Sequence, residues 1–452
     1  MRLTVAQALV KFLTAQYSER DGTEHRLIPA CFGIFGHGNV AGLAQALFEL
    51  SASRDSQHTE SGVSAHLQYH LARNEQAMVH TAVGYARMRN RLSTLACTTS
   101  IGPGATNMLT GAALATINRI PVLLLPSDHF ATRVATPVLQ ELEDPHGHDL
   151  SVNDAFRPLS KYFDRVQRPE QLPSALLAAM RVLTDPAETG AVTLALPQDV
   201  QAEAYDWPDE LFAKRVWHVP RPVPEPAALA RAVEALRAAR RPLIVAGGGV
   251  IYSEAGPALR RFAEVTGIPV ADTQAGKGAV PWDHPAAVGG IGATGSPVAN
   301  ELAREADVVL GIGTRYSDFT TASRTVFAHP DVRFVNLNIA RFDAAKHAGE
   351  MLVADARAGL EALTDVLKSP TQGAEIPDSR GRYGRARADW DAVVTGAYHA
   401  GHQPLPAQTE VIGALNEMLD PTDVVVQAAG SMPGDLQRLW RARDEKAYHV
   451  EY

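Results

Sequence analysis

The chain contains only two cysteines, Cys31 and Cys97, among its 452 residues. Both lie in apolar runs and supply neither a disulfide framework nor the paired spacing of a zinc site, so we expect two reduced, buried thiols in a reducing compartment. Basic residues are not in excess: 42 Lys and Arg stand against 50 Asp and Glu, a formal net charge of −8. This balance argues against a nucleic acid or an anionic membrane as a partner.

Long apolar runs are also absent. No segment approaches the roughly 20 apolar residues of a membrane-spanning helix. The amino-terminal stretch 1–17 is interrupted by Gln7 and Lys11, which indicates an amphipathic helix and not a signal peptide. The 452 residues, 46% of them hydrophobic, are enough for two to three domains with ample cores. Together these features are typical of a cytoplasmic enzyme.

Two boundaries divide the chain, at the proline-rich stretch 219–226 and in the polar run from Ser369 to about Ala388. Apolar segments alternate with helical ones, and we predict strands at 27–35, 93–99, 121–126, 191–196, 241–246, 268–272, 307–312 and 334–338. The alternation predicts an α/β fold with two doubly wound parallel-sheet domains. The predicted organisation is 1–218 and 227–368 for these domains, then a linker at 369–404 and a further segment at 405–452.

The stretch 73–87, RNEQAMVHTAVGYAR, places one carboxylate, Glu75, at the start of an apolar helix. Asn74 is a suitable N-cap, and the apolar residues that follow predict a helix buried on nearly all sides. A carboxylate at such a site needs a donor, a cation or a ligand. The alternative is structural: an acidic residue in a first helical turn complements the helix dipole, and Arg73 is close enough to pair with it.

A second motif, IGPGATN at 101–107, follows a predicted strand and opens a helix of small residues predicted at 105–117. Together the two motifs resemble the pyrimidine-binding domain of thiamine-diphosphate enzymes of the acetolactate-synthase type. The resemblance implies that Glu75 hydrogen-bonds the aminopyrimidine ring of thiamine diphosphate and drives the tautomer that deprotonates the thiazolium carbon. It also implies that Gly102 and Asn107 contact the cofactor.

Other polar residues follow predicted strands. His37, in the glycine turn 36–39, is either an ordinary loop histidine or a group that contacts substrate, because ligands of open α/β sheets bind at the carboxyl ends of strands. The resemblance places Gln140 facing the cofactor or the substrate. His146, His148 and Asp149 have side chains that could ligate a metal, but without a recognisable spacing, and an ordinary polar loop is the favoured interpretation.

The glycines of RPLIVAGGGV, 241–250, leave a dinucleotide site open as one interpretation, with Asp272 at the end of the next strand. The fingerprint is incomplete because position 252 is Tyr where the third glycine belongs. The same stretch resembles the central domain of the acetolactate-synthase-type enzymes, some of which hold FAD. We expect no FAD here.

Stretches that depart from acetolactate synthase, including 36–47 and 423–452, are similar to a branch of the family that hydrolyses a carbon–carbon bond of a small cyclic polyol dione. Such enzymes are at least dimers and use Mg²⁺, held with the diphosphate by a third domain. This chain lacks the Gly-Asp-Gly motif of that domain, so we expect no metal ligands here and an inactive, truncated form, with 405–452 as an incomplete diphosphate-binding domain. Gly430 and Ser431 are its candidate diphosphate contacts.

Segment 405–452 is short, and we expect only one strand in it, residues 423–427. We therefore predict that this segment is poorly ordered or prone to associate. Two other functions stay open. One is a lyase or transferase of the acetolactate-synthase type that condenses 2-oxo acids. The other is a non-catalytic α/β binding protein that has kept the first two domains.

Overall fold

The structure is a computed structural model that describes residues 1–52, 67–134, 137–368 and 380–451. The chain forms two compact units, Met1–Pro220 and Arg221–Tyr452. Each unit is built on a six-stranded sheet whose strands all run parallel. The predicted α/β class with two parallel-sheet domains is therefore confirmed. Among the described residues, no helix has the length and apolar character needed to cross a membrane.

The described part of the first unit contains strands and helices in alternation. The strands are β1 (Arg2–Thr4), β2 (Gln16–Arg20), β3 (Thr23–Arg26), β4 (Ala30–Ile34), β5 (Gln68–Leu71), β6 (Ala96–Thr99), β7 (Val122–Asp128), β8 (Tyr162–Arg165), β9 (Ala191–Pro197), β10 (Ala204–Asp206) and β11 (Arg215–His218). The α-helices are α1 (Val5–Thr14), α2 (Gln45–Ala52), α3 (Glu75–Met88), α4 (Pro103–Asn107), α5 (Leu109–Ile117), α6 (Leu172–Leu183) and α7 (Gln198–Gln201). A π-helical turn, Val40–Ala44, leads into α2.

The main sheet of this unit has the strand order β5-β4-β6-β7-β9-β8. Every residue of β7 and β9 is buried, as expected of central parallel strands covered by helices on both faces. Two smaller sheets join the ends of the unit: β1 pairs with β10, and β2 lies between β11 and β3. Helix α1 begins at a capping box formed by Thr4 and Gln7 and buries its apolar face, which confirms the predicted amphipathic helix.

The second unit repeats the alternation. Its described strands are β12 (Pro242–Ala246), β13 (Val270–Asp272), β14 (Ala287–Gly290), β15 (Val308–Ile312), β16 (Arg333–Asn338), β17 (Glu350–Val353), β18 (Val425–Ala428) and β19 (Tyr448–Glu451). Its described α-helices are α8 (Pro226–Arg237), α9 (Gly248–Tyr252), α10 (Gly256–Thr266), α11 (Pro297–Glu305), α12 (Asp318–Thr321), α13 (Arg341–Ala344), α14 (Ala356–Leu367), α15 (Arg380–Tyr398), α16 (Gln408–Met418) and α17 (Ser431–Leu439).

The main sheet of the second unit has the order β14-β13-β12-β15-β16-β17, which is the order of doubly wound dinucleotide-binding sheets. Its glycine turn is nevertheless filled by the protein itself. A Cβ on Gly249 would lie 2.6 Å from the Cα of Gly313, and one on Gly247 would lie 2.6 Å from the Cα of Thr314. The glycines here serve close packing between the ends of β12 and β15.

The carboxyl-terminal segment differs from its sequence prediction. Strand β18 pairs in parallel with β19, so the expectation of a lone strand is wrong. The segment also packs within its unit: the hydroxyl of Tyr448 donates to Oε1 of Gln274 (2.7 Å), and the backbone N–H of Trp282 donates to the carbonyl of Ala442 (3.0 Å). These contacts supply the order that the sequence did not reveal, because β19 is short and its partners are distant in the chain.

Part of the predicted linker is helical. Residues 369–379 lie outside the described residues, but α15 occupies most of the remainder. Tyr383 in this helix is only 1% exposed and joins an apolar cluster with Val298 and Leu302 of α11. The linker was predicted from the polar composition of this segment. In the structure, Tyr383 anchors α15 to the sheet domain of the second unit.

Both cysteines are free and buried, as predicted. Burial raises the pKa of the Cys31 thiol to about 12 and the pKa of the Cys97 thiol well above its ordinary range. Since the thiolate is the nucleophile, we expect neither cysteine of the native protein to react with iodoacetamide at pH 8, while both react after denaturation. Mass spectrometry of the alkylated chain measures this, and equal labelling of native and denatured protein would contradict it.

Candidate functional site

The carboxyl ends of β4 and β6 lie side by side in the first sheet, with Ile34 of β4 in register with Thr99 of β6. The glycine turn 36–39 follows β4, and the motif 101–107 follows β6. Parallel strands bring the loops at their carboxyl ends to one edge of the sheet, where ligands of open α/β sheets bind. The glycine turn 36–39 and the motif 101–107 therefore meet at one edge of the sheet.

Glu75 and Asn107 are in direct contact at this edge. The side-chain Nδ2 of Asn107 donates to Oε2 of the half-buried Glu75 (2.7 Å). The side-chain oxygen of Asn74 accepts from the backbone N–H of Ala77 (2.8 Å), which confirms the predicted N-cap of α3. The donor that Glu75 needs is thus Asn107, so the sequence alternative of a local pair with Arg73 does not explain this geometry.

Two helices differ from their sequence predictions. Helix α3 is buried on one face only, because it packs on α5 and the strands while Ala77 and Thr81 stay exposed. The single helix predicted at 105–117 begins earlier, at Pro103, and is interrupted at Met108. There the backbone N–H of Met108 donates to Ala105, three residues back (3.0 Å), and the next helix begins at Leu109.

The turn between β6 and α4 leaves one oxygen of Glu75 open. A Cβ on Gly104 would lie 3.2 Å from Oε1 of Glu75 and would overlap Oγ1 of Thr99. Oγ1 of Thr99 is buried and has no hydrogen-bond partner within the described residues. Glycine at position 104 therefore lets the backbone of α4 pack directly against Thr99 and Glu75. Oε1 is the oxygen of Glu75 that does not bind Asn107, and a ligand with a nitrogen donor, such as an aminopyrimidine, can donate to it.

The structure also brings Gln140 to this turn. A Cβ on Gly102 would overlap the backbone carbonyl of Gln140, and both residues have positive φ angles, 68° for Gly102 and 66° for Gln140. The next residue, Glu141, accepts a hydrogen bond from the backbone N–H of Val152 (3.2 Å). Burial, helped by the charge of Asp128, raises the pKa of the Glu141 carboxyl. The loop after β7 is therefore held against the motif at 101–107.

Gly102 is the residue of this turn that tolerates substitution least. Its φ of 68° favours glycine, and any Cβ would meet the carbonyl of Gln140. We expect Gly102→Ala to lower the free energy of unfolding by about 1–3 kcal/mol and to weaken binding of any ligand that contacts Gln140. Urea unfolding measures the first effect. Gly84→Ala, where no atom lies within 4 Å of the new Cβ, is the matched control, and equal stability of the two variants would contradict the prediction.

His37 lies exposed in the glycine turn after β4. The turn rests on the residues that follow β6: the backbone N–H of Gly38 donates to Oγ of Ser100 (3.4 Å), and a Cβ on Gly38 would lie 2.9 Å from Cγ2 of Ile101. The structure thus places His37 at the edge of the sheet that also carries Glu75. Of the predicted site residues, it brings Glu75 into contact with Asn107, and Gly102 into contact with Gln140.

Gly430 and Ser431 belong to the second unit. Gly430 has a φ of 147° and stands at the N-cap of α17, whose first residue is Ser431. Both residues are exposed, and no side chain caps the first turn of the helix. The unpaired N–H groups of a helix start can receive a phosphate oxygen.

No metal centre is formed by the residues that the structure describes. In ranges 1–52, 67–134, 137–368 and 380–451, no three His, Cys, Asp or Glu side chains form a group that could hold an ion. His146, His148 and Asp149 lie in a mostly exposed loop.

Sequence reasoning missed Thr99 and Gly104 as site residues, although Gly104 lies inside the quoted motif. It also missed Asn39 and Gln201, two buried side chains that contact the glycine turn. Asn39 could have been found, because it closes the turn that contains His37. Gln201 comes about 160 residues later, and no local pattern indicates it.

Comparison with known proteins agrees with this geometry. Residues 45–147 match the family described as thiamine pyrophosphate enzyme, N-terminal TPP binding domain, and residues 229–363 match thiamine pyrophosphate enzyme, central domain. The 3D-(3,5/4)-trihydroxycyclohexane-1,2-dione hydrolase of Geobacillus thermodenitrificans is 48% identical over 470 residues, which cover all of this chain and 71% of that protein. The hydrolases of the same name from Bacillus thuringiensis and Bacillus anthracis are 46% identical over 480 and 473 residues, again with 71% of each protein covered. The chain belongs to the trihydroxycyclohexanedione hydrolase family of thiamine pyrophosphate enzymes.

Proposed function

We propose that this chain hydrolyses a carbon–carbon bond of 3D-(3,5/4)-trihydroxycyclohexane-1,2-dione and gives 5-deoxyglucuronate, a reaction of myo-inositol catabolism. The observation that carries the proposal is the hydrogen bond between Glu75 and Asn107, in a chain 46–48% identical over its whole length to hydrolases of this dione. The acetolactate-synthase-type alternative lacks a comparable observation.

The cofactor in this proposal is thiamine diphosphate. Glu75 would accept a hydrogen bond from its aminopyrimidine ring, and Gly102 and Asn107 would contact the cofactor beside it. Gly430 and Ser431 at the start of α17 would contact the diphosphate through helix N–H groups. When bound, this cofactor supplies a nucleophilic carbon and an electron sink for cleavage next to a carbonyl. Mg²⁺ is part of the proposal as the ion that accompanies the diphosphate, with no ligand assigned to this chain.

The residues at the edge of the sheet have separate roles in the proposed reaction. The carboxylate of Glu75 holds a proton at a ring nitrogen, and Asn107 fixes the orientation of that carboxylate through its bond to Oε2. His37 moves a proton at an oxygen of the substrate, and Gln140 orients the ring hydroxyls. Water adds across the bond between the two carbonyl carbons: one carbon becomes a carboxylate, and the other takes up a proton and becomes an aldehyde.

The proposal also includes a cytoplasmic location, which the two buried free thiols support. It includes a homo-oligomer, at least a dimer, as the active form. It assigns residues 1–218 to a pyrimidine-binding domain, 227–368 to a central domain and 405–452 to part of a diphosphate-binding domain, separated from the central domain by 369–404.

Calorimetric titration of thiamine diphosphate with Mg²⁺ into the 452-residue chain is the first test, with the Geobacillus relative as positive control. Turnover is then followed by NMR with the cyclic dione and with pyruvate. Cofactor binding, consumption of the dione and formation of 5-deoxyglucuronate without condensation of pyruvate would support the proposed function and would show that the expectation of an inactive chain is wrong. Formation of acetolactate would favour the 2-oxo acid alternative. Absence of cofactor binding by a folded chain would agree with an inactive form or with the non-catalytic alternative.

A further inference from the structure

The glycine turn that carries His37 is held by two buried amide side chains that take no part in the site itself. We propose that Asn39 and Gln201 are positioning residues that fix His37 against the substrate. This inference rests on the proposed function for its chemical consequence. The placement of His37 can be measured without any turnover.

Asn39 closes the turn from inside. It is 1% exposed, and its Oδ1 accepts from the backbone N–H of Gly36 (2.9 Å). Its Nδ2 donates to Oγ1 of Thr98 in β6 (3.2 Å) and to the carbonyl of Ile34 in β4 (3.4 Å). One side chain therefore ties the turn to the two strands whose ends form the site.

Gln201 holds the turn from the opposite side. It is 1% exposed, and its Nε2 donates to the carbonyls of Gly38 and Leu196, each at 2.9 Å, and more weakly to Oγ of Ser127 (3.4 Å). Its Oε1 accepts from the backbone N–H of Leu43 (3.2 Å). An amide is needed here, because only an amide combines an NH₂ group that donates twice with an oxygen that accepts.

The π-helical turn Val40–Ala44 makes room for this amide. A Cβ on Gly42 would overlap Oε1 of Gln201 and would lie 2.6 Å from Cβ and 3.0 Å from Cδ of the same side chain. Isolated π-helical turns often lie at functional sites. A substitution at Gly42 or at Gln201 should therefore have the same effect, the loss of the contacts that hold the glycine turn 36–39.

The result is a turn whose backbone is fixed at Gly36 and Gly38, on both sides of His37. The imidazole of His37 is exposed, and the turn that carries it lies at the edge of the sheet that carries Glu75 and Gln140. Rigid support of this kind is what a proton-transferring group needs, because a displacement of about 1 Å can lower a rate about 100-fold.

The first experiment measures His37 by NMR in the chain labelled with ¹³C at the histidine Cε1 positions. The chain has 16 histidines, and the His37→Ala variant assigns the signal of His37. We expect Gln201→Met and Gly42→Ala to shift or broaden this signal, while the signal of His218 in β11 is unchanged. Gln45→Met, at an exposed glutamine of α2, is the control and should leave His37 unchanged. An unchanged His37 signal in folded Gln201→Met and Gly42→Ala would overturn the proposal.

If the Gln201 variant fails to fold, Asn39→Asp replaces it. This change keeps the acceptor for Gly36 but places an oxygen where Nδ2 now donates to the carbonyl of Ile34. We expect the same shift of the His37 signal. The same signal position as in the original chain would overturn the role of Asn39.

The second experiment is a double-mutant cycle on turnover of the cyclic dione. We expect Gln201→Met to lower kcat about 100-fold with little change in KM, and to cause no further loss in the His37→Ala background. Equal losses in both backgrounds would mean that Gln201 acts independently of His37 and would overturn the proposal. Absence of turnover by the unaltered chain would reject the proposed function, while the NMR result still decides the positioning.

Discussion

Replacement of Glu75 with glutamine is expected to lower turnover of the cyclic dione by about 100- to 10,000-fold, the range typical of a lost acid–base group. The amide oxygen of glutamine can still accept the hydrogen bond that Asn107 Nδ2 donates to Glu75 Oε2 (2.7 Å). The variant therefore keeps the local geometry and loses the negative charge that holds a proton on the cofactor ring. Steady-state kinetics and exchange of the cofactor's thiazolium proton for deuterium measure the effect.

The control for this prediction is Glu234→Gln, which makes the same chemical change at an exposed position of α8 in the other unit. It should leave both turnover and thermal stability within error of the original chain. Near-normal turnover of Glu75→Gln would remove Glu75 from the mechanism. A large fall in its thermal stability would instead assign Glu75 a role in folding.

Replacement of Asp128 with alanine is expected to lower the free energy of unfolding by about 3–5 kcal/mol, because it removes the buried carboxylate that pairs with Arg165 and leaves only the more exposed Asp154 beside this guanidinium. Asp128 is fully buried, and its Oδ2 accepts from Nε of Arg165 at 2.6 Å. Its Oδ1 accepts from Oγ of Ser151 (2.6 Å) and from the backbone N–H of His129 (2.9 Å). Equilibrium unfolding in urea measures the loss.

A matched control is the exposed ion pair between Arg2 and Asp206, which is 3.1 Å long with side chains 68% and 74% exposed. Arg2→Ala should change the free energy of unfolding by no more than about 1 kcal/mol, since solvent screens exposed pairs. If Asp128→Ala is as mild as this control, solvent or Asp154 must compensate the charge of Arg165. Each variant removes an ion pair, so the difference between their free energies of unfolding measures the effect of burial.

Much of the fold could be predicted because each buried parallel strand is a short apolar run between helical segments. Strands β6, β7, β9, β12, β15 and β16 all lie within or next to the predicted ranges. The prediction failed where tertiary contacts, and not local composition, determine the structure. The sequence of α15 is polar and does not indicate that Tyr383 is buried. The segment of β19 is short and becomes a strand through its pairing with β18.

The candidate site was partly predictable for a related reason. Glu75, Gly102 and Asn107 lie in two motifs that are close in the sequence, and the pairing of β4 with β6 explains why His37 joins them. Gln201 could not be predicted, because its contacts with Gly38 and Leu43 are set by the return of the chain after β9. Buried polar side chains of this kind are specified by three-dimensional packing and not by local periodicity.

The way the first unit closes on itself sets a limit on how early it can fold during synthesis. The amino group of Met1 donates to the carbonyl of Trp207 (2.6 Å), β1 pairs with β10, and β2 pairs with β11. The first two strands therefore have no complete set of partners until more than 200 residues have been made. At about 5–20 residues per second, this interval is on the order of 10–40 s. During this interval the apolar face of α1 has to be protected from solvent. The nascent chain is therefore a candidate client for chaperones at the ribosome.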